Sequence, residues 1–493
     1  VVCEVCLGQN AATARDCQHC GEPLPELAAP GSAAMDWLQL PGWSRAYRGL
    51  KVFRFGLTWY VVTVLMLAQT CSFIDRMIMG LLVGPVRATF DISDTQYSLL
   101  AGFAFAIFYA VMGVPLARIA DSKSRKLLIA AGIAVWSLMT ALCGVAKGFW
   151  GLFLARVGVG VGEASLSPAA YSMITDYFSR QSLARALSVY TVGVTVGSGL
   201  AYMIGGRVVD YVQDLGQVSL PLLGEMHGWQ LTFLLVGVPG LFIAMLMLTV
   251  REPERRGRLR AQDGAPVEGG VPFAEVLAFV ASRKIAIGTH VAGVAIFIMV
   301  VFGVNVWGPT YLIRTFDYAP GQAGMVFGSI MMVAGTAGLL LGGTVADKWY
   351  ARGRRDSYSR VIILSAAAML PFMLVLGLAE TAWLGILCLT LATFFSAFQG
   401  GIAGGVIQLL TPNQMRGQVV ALYFLVANLV GLGLGPTMVA ATTDYVFADD
   451  AAIAQSLALN AMVLGPLAIG IMLFGLKHVR SAIEAAADWE TMD

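Results

Sequence analysis

Residues 150–174 read WGLFLARVGVGVGEASLSPAAYSMI, and only Arg156 and Glu163 carry charge. As an α-helix rising about 1.5 Å per residue, this run exceeds the roughly 30 Å of a bilayer's hydrocarbon core. Its apolar character is continuous rather than alternating, which predicts a helix and not a strand of a membrane barrel. Eleven further runs of this kind lie near 57–84, 96–117, 127–147, 186–207, 229–250, 285–308, 321–346, 360–379, 382–409, 418–441 and 455–476. The whole chain of 493 residues is 57% hydrophobic and 13% charged, with a mean hydropathy of +0.74. Soluble domains carry roughly 25% charge, so the expectation is an all-α integral membrane protein of twelve transmembrane helices.

The net charge of +2 is uninformative, but its placement is not. Of the 32 lysines and arginines, only Arg87, Lys147, Arg207 and Arg314 fall in odd-numbered loops, while the termini and even-numbered loops hold most of the rest. The positive-inside rule then puts both termini and the central loop in the cytoplasm, as in a bacterial inner membrane. The first apolar run begins after residue 55 and is too long for the core of a cleavable signal peptide.

The organisation expected along the chain is a small N-terminal unit at 1–22, a linker and juxtamembrane segment at 23–54, a six-helix bundle at 55–250, a central loop at 251–284, a second six-helix bundle at 285–477 and a tail at 478–493. In the first of these, Cys3, Cys6, Cys17 and Cys20 form two CxxC pairs separated by ten residues. That spacing fits a four-thiolate zinc ribbon, with Zn2+ in a structural role. Two disulfides are the alternative, disfavoured in a reducing compartment. Residues 35–54 mix Trp37, Trp43 and Tyr47 with arginine and lysine, which suits an interfacial segment or a disordered approach to the first span. The two halves echo each other: Ala117-Arg118-Ile119-Ala120-Asp121 follows the second span as Gly343-Thr344-Val345-Ala346-Asp347 follows the eighth. Such a duplication places a binding site near the midplane between the halves.

Each ionisable side chain in the membrane costs roughly 2.5–3.5 kcal/mol or more and needs a reason. The first half holds four that sum to zero: Asp75 and Arg76 in span 1, Arg156 and Glu163 in span 4. Seven residues are two helical turns, so Arg156 and Glu163 share a face about 10 Å apart along the axis. Gly158, Gly160 and Gly162 strip side chains from their surroundings, so a second helix can approach closely. Asp75 and Glu163 are candidate proton carriers. Arg76 and Arg156, permanently charged planar donors, are candidates for binding a substrate's carboxylate or phosphate. A purely structural ion-pair network is the competing reading. Asn305, Trp307, Gln399 and Asn428 in the second half could line the same cavity or make interhelical hydrogen bonds. Asp121 with Arg125, and Asp347 with Arg354, are candidates for a cytoplasmic gate, or for ordinary solvated loop charge. His290 is expected to serve packing.

No G-x-x-x-x-G-K-[ST] loop and no G-x-S-x-G elbow occur, so ATP-driven transport and hydrolysis have no support. Nothing points to nucleic acid or to an enzyme.

Ile74-Asp75-Arg76, Arg156 to Ser167 (RVGVGVGEASLS), Pro168 to Phe178 (PAAYSMITDYF), Gly197-Ser198-Gly199-Leu200-Ala201 and Gly228-Trp229-Gln230 resemble the major facilitator superfamily, and within it the bacterial Spinster-type transporters. Ala117, Ser122 and Ser124 depart from the superfamily's signature after span 2. The resemblance covers roughly residues 50–480. It implies two pseudo-symmetric six-helix halves and proton-linked or facilitated movement of lysolipids or sphingosine-phosphate-like lipids, and it assigns the buried acids and arginines to the cavity. An organic-anion:proton symporter family is similar at the same positions, so the cargo stays open between amphipathic and small organic anions or drugs. A monomer in contact with membrane lipids is expected. A sensor signalling through the zinc ribbon is the alternative from another class.

Overall fold

The computed structural model describes residues 41–178, 180–214, 218–220, 224–253, 271–412 and 415–486. The candidate zinc ligands Cys3, Cys6, Cys17 and Cys20 lie outside these residues, as does the side chain of Asp121. Twelve helices are long and apolar enough to cross a membrane: α1 Thr58–Leu81, α2 Asp94–Gly113, α3 Arg125–Cys143, α4 Phe149–Tyr177, α5 Val189–Tyr211, α6 Gly228–Thr249, α7 Lys284–Phe316, α8 Pro320–Ala351, α9 Ser357–Leu376, α10 Ala382–Leu410, α11 Arg416–Phe447 and α12 Asp450–Ala486. Each contains the span expected from hydropathy or nearly all of it, and several run past its ends. Large apolar side chains face outward without protein cover, as Leu235, Phe242, Met245 and Leu248 do on α6. A soluble protein would bury such a surface; lipid tails accept it.

The pairings within α1–α6 recur within α7–α12: α1 against α5 and α7 against α11, α2 against α4 and α8 against α10, α3 against α6 and α9 against α12. The halves meet along two seams, α2 with α11 and α5 with α8. We call the end from which α1 enters and α12 leaves the near end, and its opposite the far end.

Several helices break their own regularity. The last turn of α1 tightens to a 3-10 turn at Ile78–Leu81. Wider π turns interrupt α2 at Leu99–Phe103, α8 at Met331–Gly335 and α11 at Ala427–Leu432. A fourth ends α11 at Thr442–Phe447, and all four sit on helices that form the seams. Hydropathy is blind to such turns, because they change hydrogen-bond register without changing composition. Two further elements arise where only loops were expected. One is an antiparallel hairpin of β1 Val218–Leu220 and β2 Gly224–Met226 between α5 and α6. The other is a short helix, Phe273–Ser282, in the central loop, which buries Val276. At the N-terminal side, α1 belongs to one longer helix from Pro41 to Met77, so residues 41–57 continue the span.

Close helix approach explains the glycines. A Cβ at Gly160 would stand 2.5 Å from the Phe105 carbonyl of α2, and one at Gly162 would stand 2.7 Å from the Trp136 nitrogen of α3. The α5–α8 seam is tighter still, with a Cβ at Gly324 falling 2.2 Å from the Tyr202 carbonyl. Gly343, on the same helix, meets nothing within 4 Å. Gly324→Ala should therefore lower the unfolding temperature in detergent, by the equivalent of about 1–3 kcal/mol of overpacking. Gly343→Ala should raise it slightly, since alanine restricts the unfolded chain more than glycine does.

Candidate functional site

The four charged residues singled out in spans 1 and 4 converge inside the first half. Ser72 and Arg76 lie one turn apart on α1, so they share a face. Both donate to the same oxygen of Glu163, Ser72 Oγ at 2.7 Å and Arg76 Nη2 at 2.5 Å from Oε2. The Arg76 guanidinium also lies against three aromatic rings: Phe105 at 4.4 Å, Phe73 at 4.7 Å and Tyr109 at 5.1 Å from the ring centres. Phe105 and Tyr109, a turn apart on α2, stack on each other at 5.3 Å. Ring faces attract a cation while presenting apolar surface, so they help to hold a guanidinium away from water.

Asp75 is fully buried, with Oδ2 accepting from Thr140 of α3 at 3.3 Å. Arg156 lies over the Phe105 ring at 5.5 Å, and its described hydrogen bonds are long ones to main-chain carbonyls, Nε to Leu100 and Nη1 to Asp75, both at 3.4 Å. Leu100 sits in the π turn of α2, where a displaced hydrogen-bond register exposes carbonyls. Each of the four charged side chains keeps one polar atom with no protein partner: Asp75 Oδ1, Arg76 Nε, Arg156 Nη2 and Glu163 Oε1. Buried polar atoms are almost always paired, so four atoms without a partner among the described residues leave donor and acceptor positions in this cluster open to a water or a bound molecule.

The second-half candidates are placed elsewhere. Trp307 is fully buried and donates its indole N–H to the Pro436 carbonyl at 2.9 Å, which ties α7 to α11. The Asn305 carbonyl accepts from Tyr202 of α5 at 2.5 Å, a contact between halves. Asn428 donates to Phe424 of its own helix at 2.8 Å, and Gln399 is buried in a 3-10 turn of α10. None of these bonds reaches the four charges. His290 bonds the Ala403 carbonyl at 2.9 Å and serves packing.

At the near end, Arg125 pairs inside its own half. It reaches Glu252 Oε1 at 2.9 Å, Ser172 Oγ at 2.8 Å and the Pro253 carbonyl at 3.0 Å, and it also pairs with Asp176. Asp347 accepts from Tyr358 at 2.7 Å, and Arg354 lies over Trp349. In this conformation, then, Arg125, Asp347 and Arg354 make their described contacts within halves rather than across them.

The far end holds charges that hydropathy placed at span edges. Asp94, fully buried at the start of α2, receives both nitrogens of Arg314 from α7, at 2.5 and 2.8 Å, and Arg87 at 2.9 Å. Arg87 in turn reaches Asp450 of α12 at 2.6 Å. These pairs join the halves and close the molecule at this end. The sequence held one signal for them, Arg87 and Arg314 being two of the few cations in odd loops, but the pairs that join the halves, Arg314–Asp94 and Arg87–Asp450, span hundreds of residues.

Two six-helix halves joined along α2–α11 and α5–α8, with a neutral charge cluster buried in one of them, define a membrane transporter. The chain belongs to the Major Facilitator Superfamily, which residues 65–436 match. Its homologues include Spinster-type transporters: human protein spinster homolog 1 is 27% identical over 78% of this chain and 72% of its own length. An MFS-type efflux pump of Mycolicibacterium smegmatis is 28% identical, covering 86% of this chain and 93% of its own. Among solved structures, a bacterial homolog of the human lysosomal transporter Spinster, inward-facing and unoccupied, superposes with a TM-score of 0.69 at 25% identity. That match covers 88% of this chain and 98% of the other.

The near-end clasp makes a measurable prediction. Burial opposes ionisation of Glu252, but the Lys126 backbone N–H, Arg125 and Ser124 outweigh it and hold this carboxyl below its ordinary value. A carboxyl depressed in the folded state contributes stability above its unfolded pKa, and that contribution is lost as pH falls through the folded one. The unfolding temperature in detergent should therefore drop as pH falls below the usual carboxylate range, and Glu252→Gln should flatten that part of the profile.

Proposed function

We propose that the protein is a secondary transporter working by alternating access, its two halves rocking about a midplane site, and that it couples proton movement to an amphipathic anion such as a lysolipid or sphingosine-phosphate-like lipid. One observation carries this reading: Arg76 is bound to Glu163, wrapped by Phe73, Phe105 and Tyr109, and still has an unpartnered nitrogen. A cation set among aromatic rings suits an anionic head joined to an apolar body. Protonating Glu163 would release Arg76 to that head, and loss of the anion would return the pair, so proton and substrate occupancy are linked. Asp75 serves as a second proton carrier, and Arg156 is a further donor to the substrate. The charge asymmetry of the loops supports a bacterial inner membrane with both termini, and the near end, in the cytoplasm.

The names of the relatives support more than one cargo. The resemblance to Spinster-type transporters implies a lipid-like substrate, whereas the name of a probable L-galactonate transporter of Escherichia coli, 24% identical over 76% of this chain, favours a small organic acid. Uptake into proteoliposomes, with and without an inward-acid gradient, should separate lysolipids from sugar acids. Glu163→Gln should reduce gradient-driven uptake to the rate without a gradient while leaving counterflow. Arg76→Lys, which keeps the charge but loses the planar fork, should weaken substrate binding. Full gradient-driven uptake by both Glu163→Gln and Asp75→Asn would overturn the proton assignment. Deleting residues 1–34 tests the ribbon: intact transport makes it accessory, and lost signalling with intact binding favours a sensor.

A further inference from the structure

The far end contains a symmetry that its ion pairs conceal. Asp210 on α5 accepts from the backbone N–H of Gly321, in the first turn of α8, at 2.8 Å. Asp444 on α11 accepts from the backbone N–H of Thr95, in the first turn of α2, at 2.7 Å. Duplication relates α5 to α11 and α8 to α2, so these are one contact made twice. The sequence repeats with them: Asp210-Tyr211-Val212 recurs as Asp444-Tyr445-Val446, and Thr95-Gln96 aligns with Gly321-Gln322. In both cases a carboxylate of one half satisfies an orphan N–H at the positive end of a helix in the other half. The fit is close at Gly321, where a Cβ would stand 1.9 Å from Asp210 Oδ2.

We propose that these two reciprocal caps form a latch that sets how often the far end opens. This rests on the alternating-access reading above. A helix cap supplied from within its own chain segment would survive a rocking of the halves; these cannot, because cap and helix lie on opposite sides of the seams. Opening the far end therefore breaks both together. The Asp94–Arg314 and Arg87–Asp450 pairs act on the α2 side only, whereas the caps hold both seams.

Ser98, buried one turn inside Thr95, offers a reporter. In a background with the native cysteines replaced by alanine, Ser98→Cys is labelled with a membrane-impermeant maleimide from the far side, so that the rate follows the open fraction even when it is small. Asp210→Ala and Asp444→Ala should each speed labelling about fivefold, and the double variant about 25-fold, from the usual loss on removing a helix cap. Asp→Asn at either position, which keeps an acceptor oxygen, should have a smaller effect. Asp91→Asn, an exposed far-end carboxylate outside the seams, should have none. Monodisperse elution of every variant guards against misfolding. Equal labelling of wild type and double variant overturns the latch while leaving alternating access standing, and so does acceleration by only one of the two alanine variants. No labelling of either protein, together with no counterflow, overturns both.

Discussion

The pairing of Arg76 with Glu163 is the constraint around which the first half is arranged. Neither charge could remain in the membrane alone, and neither can leave, because each is carried within an apolar span, Arg76 on α1 and Glu163 on α4. Their meeting requires α1, α2, α3 and α4 to converge closely, and the glycines of α4 make that possible: Gly160 admits the backbone of α2 and Gly162 that of α3. The aromatic rings on α2 then enclose the guanidinium from the side. Packing, charge neutralisation and the candidate binding site are thus one arrangement.

Its incompleteness is equally informative. A network serving only to fix helix packing gains most when every polar atom is satisfied, since a partly satisfied buried network is costly. Here every member keeps one atom without a partner among the described residues, while Arg125 at the near end makes four contacts, two to α4 and two to the segment after α6. The difference separates a group arranged to exchange partners from one arranged to stay. The second half has no comparable buried charge cluster among the described residues; its polar candidates hold helices to one another or to the first half. Buried charge is therefore divided unequally between halves that share one fold.

The far end shows how a duplicated fold can close on itself. Along α5–α8 the backbones meet through glycines, and along α2–α11 and α7 the contact is reinforced by arginine–carboxylate pairs. Both seams carry the same cap between a carboxylate and a helix start. Homologous elements have kept the contact that the pseudo-symmetry makes mutual, while the surrounding side chains have diverged.

Much of this was legible in the sequence. Twelve spans followed from apolar runs long enough to cross hydrocarbon, because the bilayer imposes one length scale on every helix. Asp75, Arg76, Arg156 and Glu163 stood out because intramembrane charge is rare, and two helical turns between Arg156 and Glu163 already placed those two on one face. What the sequence could not reveal were partners. Nothing local to Asp94 shows that Arg314 will bury it, nor does Ser72 announce that it shares an oxygen with Arg76. The π turns, the hairpin Val218–Met226 and the helix Phe273–Ser282 were equally invisible, since composition does not encode hydrogen-bond register or a docking surface. Composition and period, both local properties, determined the number of helices and which charges lie inside them. Which charges meet, and at which end the halves close, depends on contacts between residues far apart in the chain, and only the tertiary structure decides those.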